Sequence, residues 1–166
     1  MAGNYFLISP EKLLEEGFLI TSDLADLPDF PQDKVDFNEV IPIKVNLLIK
    51  ACEDFKTKAN STQKQAFAKF CADKGYWLDN YALFMAIKDA QNGEGWHNWQ
   101  PELSKREPAA LAEIEKELEE EIFYYKFVQY EFFRQWSELK NYANKNGIEI
   151  IGDIPIYVAH DSADVW

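Results

Sequence analysis

The spacing of apolar positions divides the chain into three zones. The first, residues 1–38, is broken by Pro10, Gly17, Pro28 and Pro31, with aspartates between them. Ser9 followed by Pro10 reads as an N-cap and first-turn proline, and Leu13, Leu14 and a stop at Gly17 make this a short helix. The run from Leu24 to Asn38 reads as an irregular surface connection. The second zone begins with Val40, Ile43, Leu47, Cys52 and Phe55 at near-helical spacing. Ser61 and Thr62 then predict the cap of a second helix that carries Phe67, Phe70 and Cys71 and stops at Gly75. A third helix is expected from Trp77, with Asp79 or Asn80 as cap and Leu83, Phe84 and Ile87 on its apolar face. It ends before Gly93, and residues 96–101 form a loop with two tryptophans.

The strongest period lies between Pro108 and Gly147, a stretch with neither glycine nor proline inside it. Leu111, Ile114, Leu118, Ile122, Tyr125, Phe132, Trp136 and Leu139 recur at helical steps. Phe123, Phe127 and Tyr130 widen the stripe, so the second half must be buried round much of its circumference. Some 38 helical residues at ~1.5 Å each would reach on the order of 57 Å, which requires a bend, a break or a projecting end. The last pattern differs in kind. Ile148 to Val158 is β-branched and apolar on both faces, the signature of a parallel strand covered on both sides. Such a strand needs neighbours that this sequence does not supply, so the chain reads as a piece of a larger α/β protein.

Composition narrows the functional classes. There are 17 basic against 29 acidic residues among 166, a net charge of −12. That balance argues against phosphate-backbone and anionic-membrane partners. No apolar run is long enough to span a bilayer, and no signal-peptide pattern opens the chain. Cys52 and Cys71 are the only cysteines, too few for a disulfide framework. A reducing, cytoplasmic location is expected. His97 and His160 lack partners at metal-ligand spacing, so no metal or cofactor is expected. The glutamates from Glu113 to Glu121 read as a solvated helix face. The aromatics from 123 to 136 read as core packing ahead of a sugar-stacking platform. Trp96 and Trp99 are either stacking residues or anchors for their loop.

Asp153 stands out because it lies within an apolar strand, beside Gly152 and just before Pro155. A carboxylate there is costly unless partnered, and Pro155 marks where regular pairing ends. The C-terminal end of a parallel strand is where α/β barrels place chemistry, while a structural ion pair or turn cap is the competing role. Asp161, Ser162 and Asp164 read as helix N-cap residues.

The stretch Gly152-Asp-Ile-Pro-Ile-Tyr-Val-Ala-His-Asp-Ser-Ala-Asp-Val-Trp166 resembles a signature of the 4-α-glucanotransferases of glycoside hydrolase family 77, the amylomaltases or disproportionating enzymes. Ala2-Gly3-Asn4 with Leu7-Ile8-Ser9, Trp77-Leu-Asp-Asn-Tyr-Ala-Leu-Phe84, Phe127 to Tyr130, Gln135-Trp136 and Tyr142 to Asn144 are similar to further family segments, in order along the chain. The resemblance implies a partial (β/α)₈ barrel of the α-amylase clan, mostly helical here, with one parallel strand near 148–158. Residues 1–38 would follow an early barrel strand, 39–147 would be a helical insertion and the helix returning to the barrel, and 148–166 would be the third strand and its loop. It implies α-1,4-glucans and maltooligosaccharides as substrates, and a retaining transglycosylation whose nucleophile and acid/base lie on later strands absent from these residues. No catalytic residue is therefore assigned. Asp153 matches the family's first conserved region and is implied to bind substrate in the sugar cleft. The histidine that the α-amylases carry in that region is absent, and Val158 stands five residues after Asp153. Two other readings remain: a fragment of an α-amylase-type hydrolase, and a free-standing helical interaction module in which Asp153 is structural.

Overall fold

The computed structural model describes all residues except Met1, Asp26, Gln32, Ile154 and Pro155. Among the described residues seven α-helices run in order: α1 (Pro10–Glu15), α2 (Thr21–Ala25), α3 (Phe37–Lys58), α4 (Ser61–Ala90), α5 (Pro101–Ser104), α6 (Pro108–Glu117) and α7 (Glu119–Lys145). Short 3₁₀ turns cover Tyr5–Leu7 and Trp96–Asn98. No strand forms among the described residues.

Local chemistry sets most boundaries. The Ser9 hydroxyl accepts from the Lys12 amide, and Pro10 occupies the first turn of α1 as expected. α2 shortens the irregular connection expected from Leu24, because Asp23 accepts from the Ile20 amide and pairs with Lys50 on α3. Asp36 caps α3 by accepting from the Asn38 amide. The cap of α4 is Asn60, one residue before the expected Ser61. Asn60 and Gln63 exchange reciprocal bonds of 3.0 and 2.9 Å, a capping box. α4 then passes straight through Gly75, where a stop was expected, so the second and third helices are one element of 30 residues. A mid-helix glycine costs only about 0.5–1 kcal/mol. The burial of Leu78, Ala82, Leu83, Ala86 and Ile87 beyond it outweighs that cost.

The break expected in the long periodic segment falls at Leu118, which leaves helical geometry (φ −105°, ψ 27°) and buries its side chain between α6 and α7. The glutamates around it all face solvent. At the far end Gly147 adopts φ +73°, where its amide donates to Asn144 O and the Ile148 amide to Ala143 O, both at 3.0 Å. This is the paired closure that a left-handed residue permits.

α4 and α7 form the most extensive interface, with α3 packed on α7 as well. At their junction Phe55 of α3 meets Phe67 at 5.3 Å, Phe127 at 5.1 Å and Phe18 at 5.3 Å between ring centroids. Tyr130 lies within 5.5 Å of Phe67 and 5.7 Å of Phe70. The α7 aromatics from Phe123 to Phe132 are thus core packing, not a stacking platform, while Trp136 stays 38 % exposed. Cys52 is buried and Cys71 half-buried, both as free thiols, and burial pushes the Cys52 thiol up to about 12.

The segment 148–158 departs from the expected strand. Its described residues form no ladder and leave large apolar groups in solvent, with Ile151 92 % and Ile156 83 % exposed. A strand exists only by pairing, and among the described residues no ladder pairs this segment with another. Pro155, expected to mark the strand's end, lies outside the described residues.

A polar cluster fastens α1 to α7. Arg134 donates to Glu131 at 3.0 and 2.9 Å and to Glu138 at 2.7 Å, and it pairs with Glu16 at the end of α1. Glu131 is fully buried, and burial pushes its carboxyl up. Burial and the Glu131 charge raise Glu16 from 4.5 to about 7. An acid raised in this way stabilises the fold fully below its unfolded value and loses that contribution as pH rises through its folded one. Stability should therefore fall between pH 4.5 and about 7. Glu16→Gln should flatten that fall and raise the melting temperature at pH 8 by about 2–4 °C, on the order of 1 kcal/mol, since Arg134 keeps two other carboxylates. Melting curves across this pH range check it, and an unchanged slope in the variant would contradict it.

Candidate functional site

One face of α4 carries Trp77, Asn80, Tyr81, Phe84 and Lys88 at steps of three or four. The segment 159–166 folds back against this face. Lys88 pairs with Asp161, whose other carboxylate oxygen accepts from the Trp96 amide at 3.2 Å. The hydrogen bond from Lys88 and the Trp96 amide hold the Asp161 carboxyl below the ordinary aspartate value. The Trp96 indole N–H donates to His160 O at 2.7 Å and its ring stacks on His160 at 5.2 Å. Trp166 packs on Phe84 at 5.7 Å and on Trp99 at 5.5 Å, and donates to Leu103 O at 3.0 Å. The Arg106 guanidinium lies 4.2 Å over the Trp166 ring and donates to Asn80 Oδ1 at 2.6 Å. Arg106 holds φ +57°, an uncommon position for a side-chain-bearing residue, in the turn that closes α5, where its amide donates to Leu103 O at 3.1 Å and the Glu107 amide to Glu102 O at 2.8 Å.

Between the helix and the folded-back segment lies a cleft of about 410 Å³. Its walls include Ala2, Tyr76, Trp77, Asn80, Tyr81, Asp161 and Asp164. Tyr76 stands at its rim, 80 % exposed. Flat aromatic faces beside carboxylate and amide oxygens suit a ligand with apolar C–H faces and many hydroxyls, which is the chemistry of a saccharide.

Asp153 is exposed and is not part of the cleft wall. Asp161 holds the Lys88 and Trp96 contacts, the Ser162 hydroxyl donates to Ala159 O at 2.7 Å, and the Ser162 carbonyl accepts from the Val165 and Trp166 amides at 3.1 and 3.0 Å. Trp96 and Trp99 anchor their loop, the latter buried and donating to Glu94 O at 2.9 Å. Sequence reasoning missed Tyr76, Tyr81 and Lys88. Their signal was polar and aromatic groups interspersed with the buried positions Leu78, Ala82, Leu83 and Ile87 of α4. Among the described residues no cluster of three or more His, Cys, Asp or Glu could hold a metal. No helix there is long and apolar enough to cross a membrane.

A family model described as 4-alpha-glucanotransferase matches residues 1–166. The chain is 48 % identical over 166 residues to a 4-alpha-glucanotransferase of Synechocystis, covering all of this chain and 33 % of that protein. It is 45 % identical over 165 residues to one from Thermus thermophilus, covering 99 % of this chain and 32 % of that protein. Among solved structures, an amylomaltase from Streptococcus agalactiae in complex with acarbose superposes with a TM-score of 0.93 at 35 % identity, over 100 % of this chain and 33 % of that one. The chain thus spans about a third of the length of the curated relatives it matches.

The Asp161 contacts generate a direct test. Asp161→Ala removes both the Lys88 pair and the acceptor for the Trp96 amide. The segment 159–166 should loosen, seen as a red-shifted tryptophan emission and faster exchange of the Trp96 amide, with the melting of the helical core little changed. Unaltered emission and exchange would contradict the assigned role.

Proposed function

The chain belongs to the 4-alpha-glucanotransferase family, glycoside hydrolase family 77, and on that premise we propose that its residues build one wall of the substrate cleft in an enzyme that moves α-1,4-glucan segments between maltooligosaccharides. The observation that carries this reading is the match along the whole chain, in sequence and in backbone, to transferases of that name. The acarbose complex of the Streptococcus agalactiae amylomaltase supports a saccharide as the ligand class, as does the make-up of the cleft.

In this reading the chain is part of a (β/α)₈ barrel. Residues 1–38 follow an early strand, 39–147 are the helical insertion and the helix returning to the barrel, and 148–166 are the third strand and its loop. Two features support it. The segment 148–158 is β-branched and apolar on both faces, and its described residues are exposed, so it is suited to pairing inside a sheet. A groove of about 620 Å³, lined by Leu7, Phe132, Trp136, Leu139 and Tyr142 among others, is a second apolar surface that the barrel would cover. Asp153 then lies at the end of the third strand, facing sugar. Two unpaired cysteines and a net charge of −12 suit a cytoplasmic enzyme without nucleic-acid or membrane partners.

The reaction is a double displacement with retention. An aspartate attacks the anomeric carbon while a glutamic acid protonates the departing glycosidic oxygen. The 4-hydroxyl of an acceptor glucan then attacks the covalent glycosyl-enzyme, returning its proton to the glutamate. Those two carboxyls stand about 5–5.5 Å apart in retaining enzymes, and we assign both to parts of the enzyme beyond these 166 residues. The cleft wall described here serves binding, by stacking on sugar faces and fixing hydroxyls.

The complete gene product should convert maltotriose into glucose and longer maltooligosaccharides without a net rise in reducing ends. The 166-residue chain alone should produce neither. A rise in reducing ends would identify a hydrolase. Asp153→Asn in the complete enzyme keeps size and one acceptor oxygen but removes the charge. It should lower kcat by roughly ten- to a hundredfold, the equivalent of about 1.5–3 kcal/mol, with an unchanged melting temperature. Normal turnover in a destabilised protein would remove Asp153 from the site.

A further inference from the structure

α7 carries two glutamines that act on the N-terminal segment in the same way. Gln129, fully buried, accepts from the Gly3 amide through Oε1 at 2.7 Å and donates through Nε2 to the Gly3 carbonyl at 2.9 Å. Gln135 accepts from the Ser9 amide at 2.8 Å and donates to the Ser9 carbonyl at 3.4 Å. Each side-chain amide thus satisfies both backbone groups of one residue, as a neighbouring strand would. The two glutamines are six positions apart, and so are the residues they hold.

The two clamps differ in what lies beyond them. Gln135 holds the residue that caps α1, away from the cleft. Gln129 holds the peptide next to Ala2, and its Nε2 also lies 3.5 Å from the Tyr81 hydroxyl. Ala2 and Tyr81 both line the cleft. The backbone is pressed close here: a Cβ on Gly3 would sit 1.9 Å from Cδ1 of Phe132. Gln129 is therefore a polar group at the meeting point of the N-terminal segment, α4 and α7. A leucine or methionine would fill the same volume without any polar group to satisfy, and burying an amide is unfavourable unless its bonds are made. An amide at this position adds what an apolar side chain cannot, a fixed register of the segment against the helix.

The geometry points to Gln129 as a positioning residue of the glucan cleft, one that sets the Ala2–Gly3 backbone and the Tyr81 hydroxyl from beneath. The inference rests on the transferase reading given above. Gln129 does not reach the cleft itself; it acts on saccharide binding through the two wall elements that it holds. Gln135 is the matched control, because it makes the same kind of clamp on the same segment from the same helix.

The test compares Gln129→Met with Gln135→Met in the complete gene product, measuring melting temperature, kcat and KM on maltotriose well below either melting point. Both variants should melt lower by similar amounts. Gln129→Met should show a roughly ten- to a hundredfold fall in kcat/KM, the scale of a displaced binding group, carried mainly by a higher KM. Gln135→Met should keep normal kinetics. If Gln129→Met does not fold, Gln129→Asn, one methylene too short to close the clamp, is measured in its place. Normal kinetics in the Gln129 variant, or equal impairment in both, would reduce Gln129 to a structural role and overturn the inference while leaving the transferase reading intact. A wild-type enzyme that does not redistribute maltotriose would sink the reading and the inference together.

Discussion

The fold depends on the burial of the α7 aromatic stripe against α3 and α4. Phe55 is its centre: Phe18, Phe67, Phe123, Phe127 and Tyr130 all approach it within 6.4 Å between centroids. Each buried ring contributes about 1.5–3 kcal/mol, and well-placed aromatic pairs add about 0.5–1.5 kcal/mol. Because this packing fixes the rotation of α7, the polar residues embedded in the stripe acquire fixed addresses. Gln129 meets Gly3, Tyr125 donates to Asp89 across the α4 interface, and Glu131 meets Arg134 beside Glu16. The cleft inherits its shape from that rotation, since α4, which forms its wall, packs on α7.

Signals that act over one helical turn were legible in the sequence. Ser9 and Pro10 opened α1, Pro108 opened α6, Gly147 closed α7, and the requirement for a break resolved at Leu118. Signals that depend on distant partners were not. Gly75 looked like a stop because its local cost was visible, while the burial of Leu78 to Ile87 that outweighs it is tertiary. The cap at Asn60 differs by one residue from the expected Ser61 because the deciding bond is to Gln63. The apolar run from Ile148 to Val158 has the composition of a buried strand, yet the described residues offer it nothing to pair with.

The site was legible as a family resemblance and only partly as geometry. The Gly152–Trp166 signature led to the transferases, and the comparisons bear that out. Asp153, the residue singled out on physical grounds, stays outside the cleft wall. The carboxylates that do line it, Asp161 and Asp164, looked like ordinary caps. The difference is that Asp161 takes its role from Lys88 and Trp96, 73 and 65 positions away. Buried Gln129 lay within the Phe127–Tyr130 segment of the resemblance, but nothing in the sequence assigned it a role. It sits inside an aromatic run, where a single amide is easily read as a surface position.

We propose that the α4 face and the folded-back segment 159–166 form a wall of the glucan cleft. A crystal structure of the complete gene product with acarbose tests it most directly. Saccharide electron density is expected against Tyr76 or Trp77, with hydroxyls hydrogen-bonded to Asn80, Asp161 or Asp164. Saccharide bound elsewhere, with this cleft filled by another part of the protein, would contradict it.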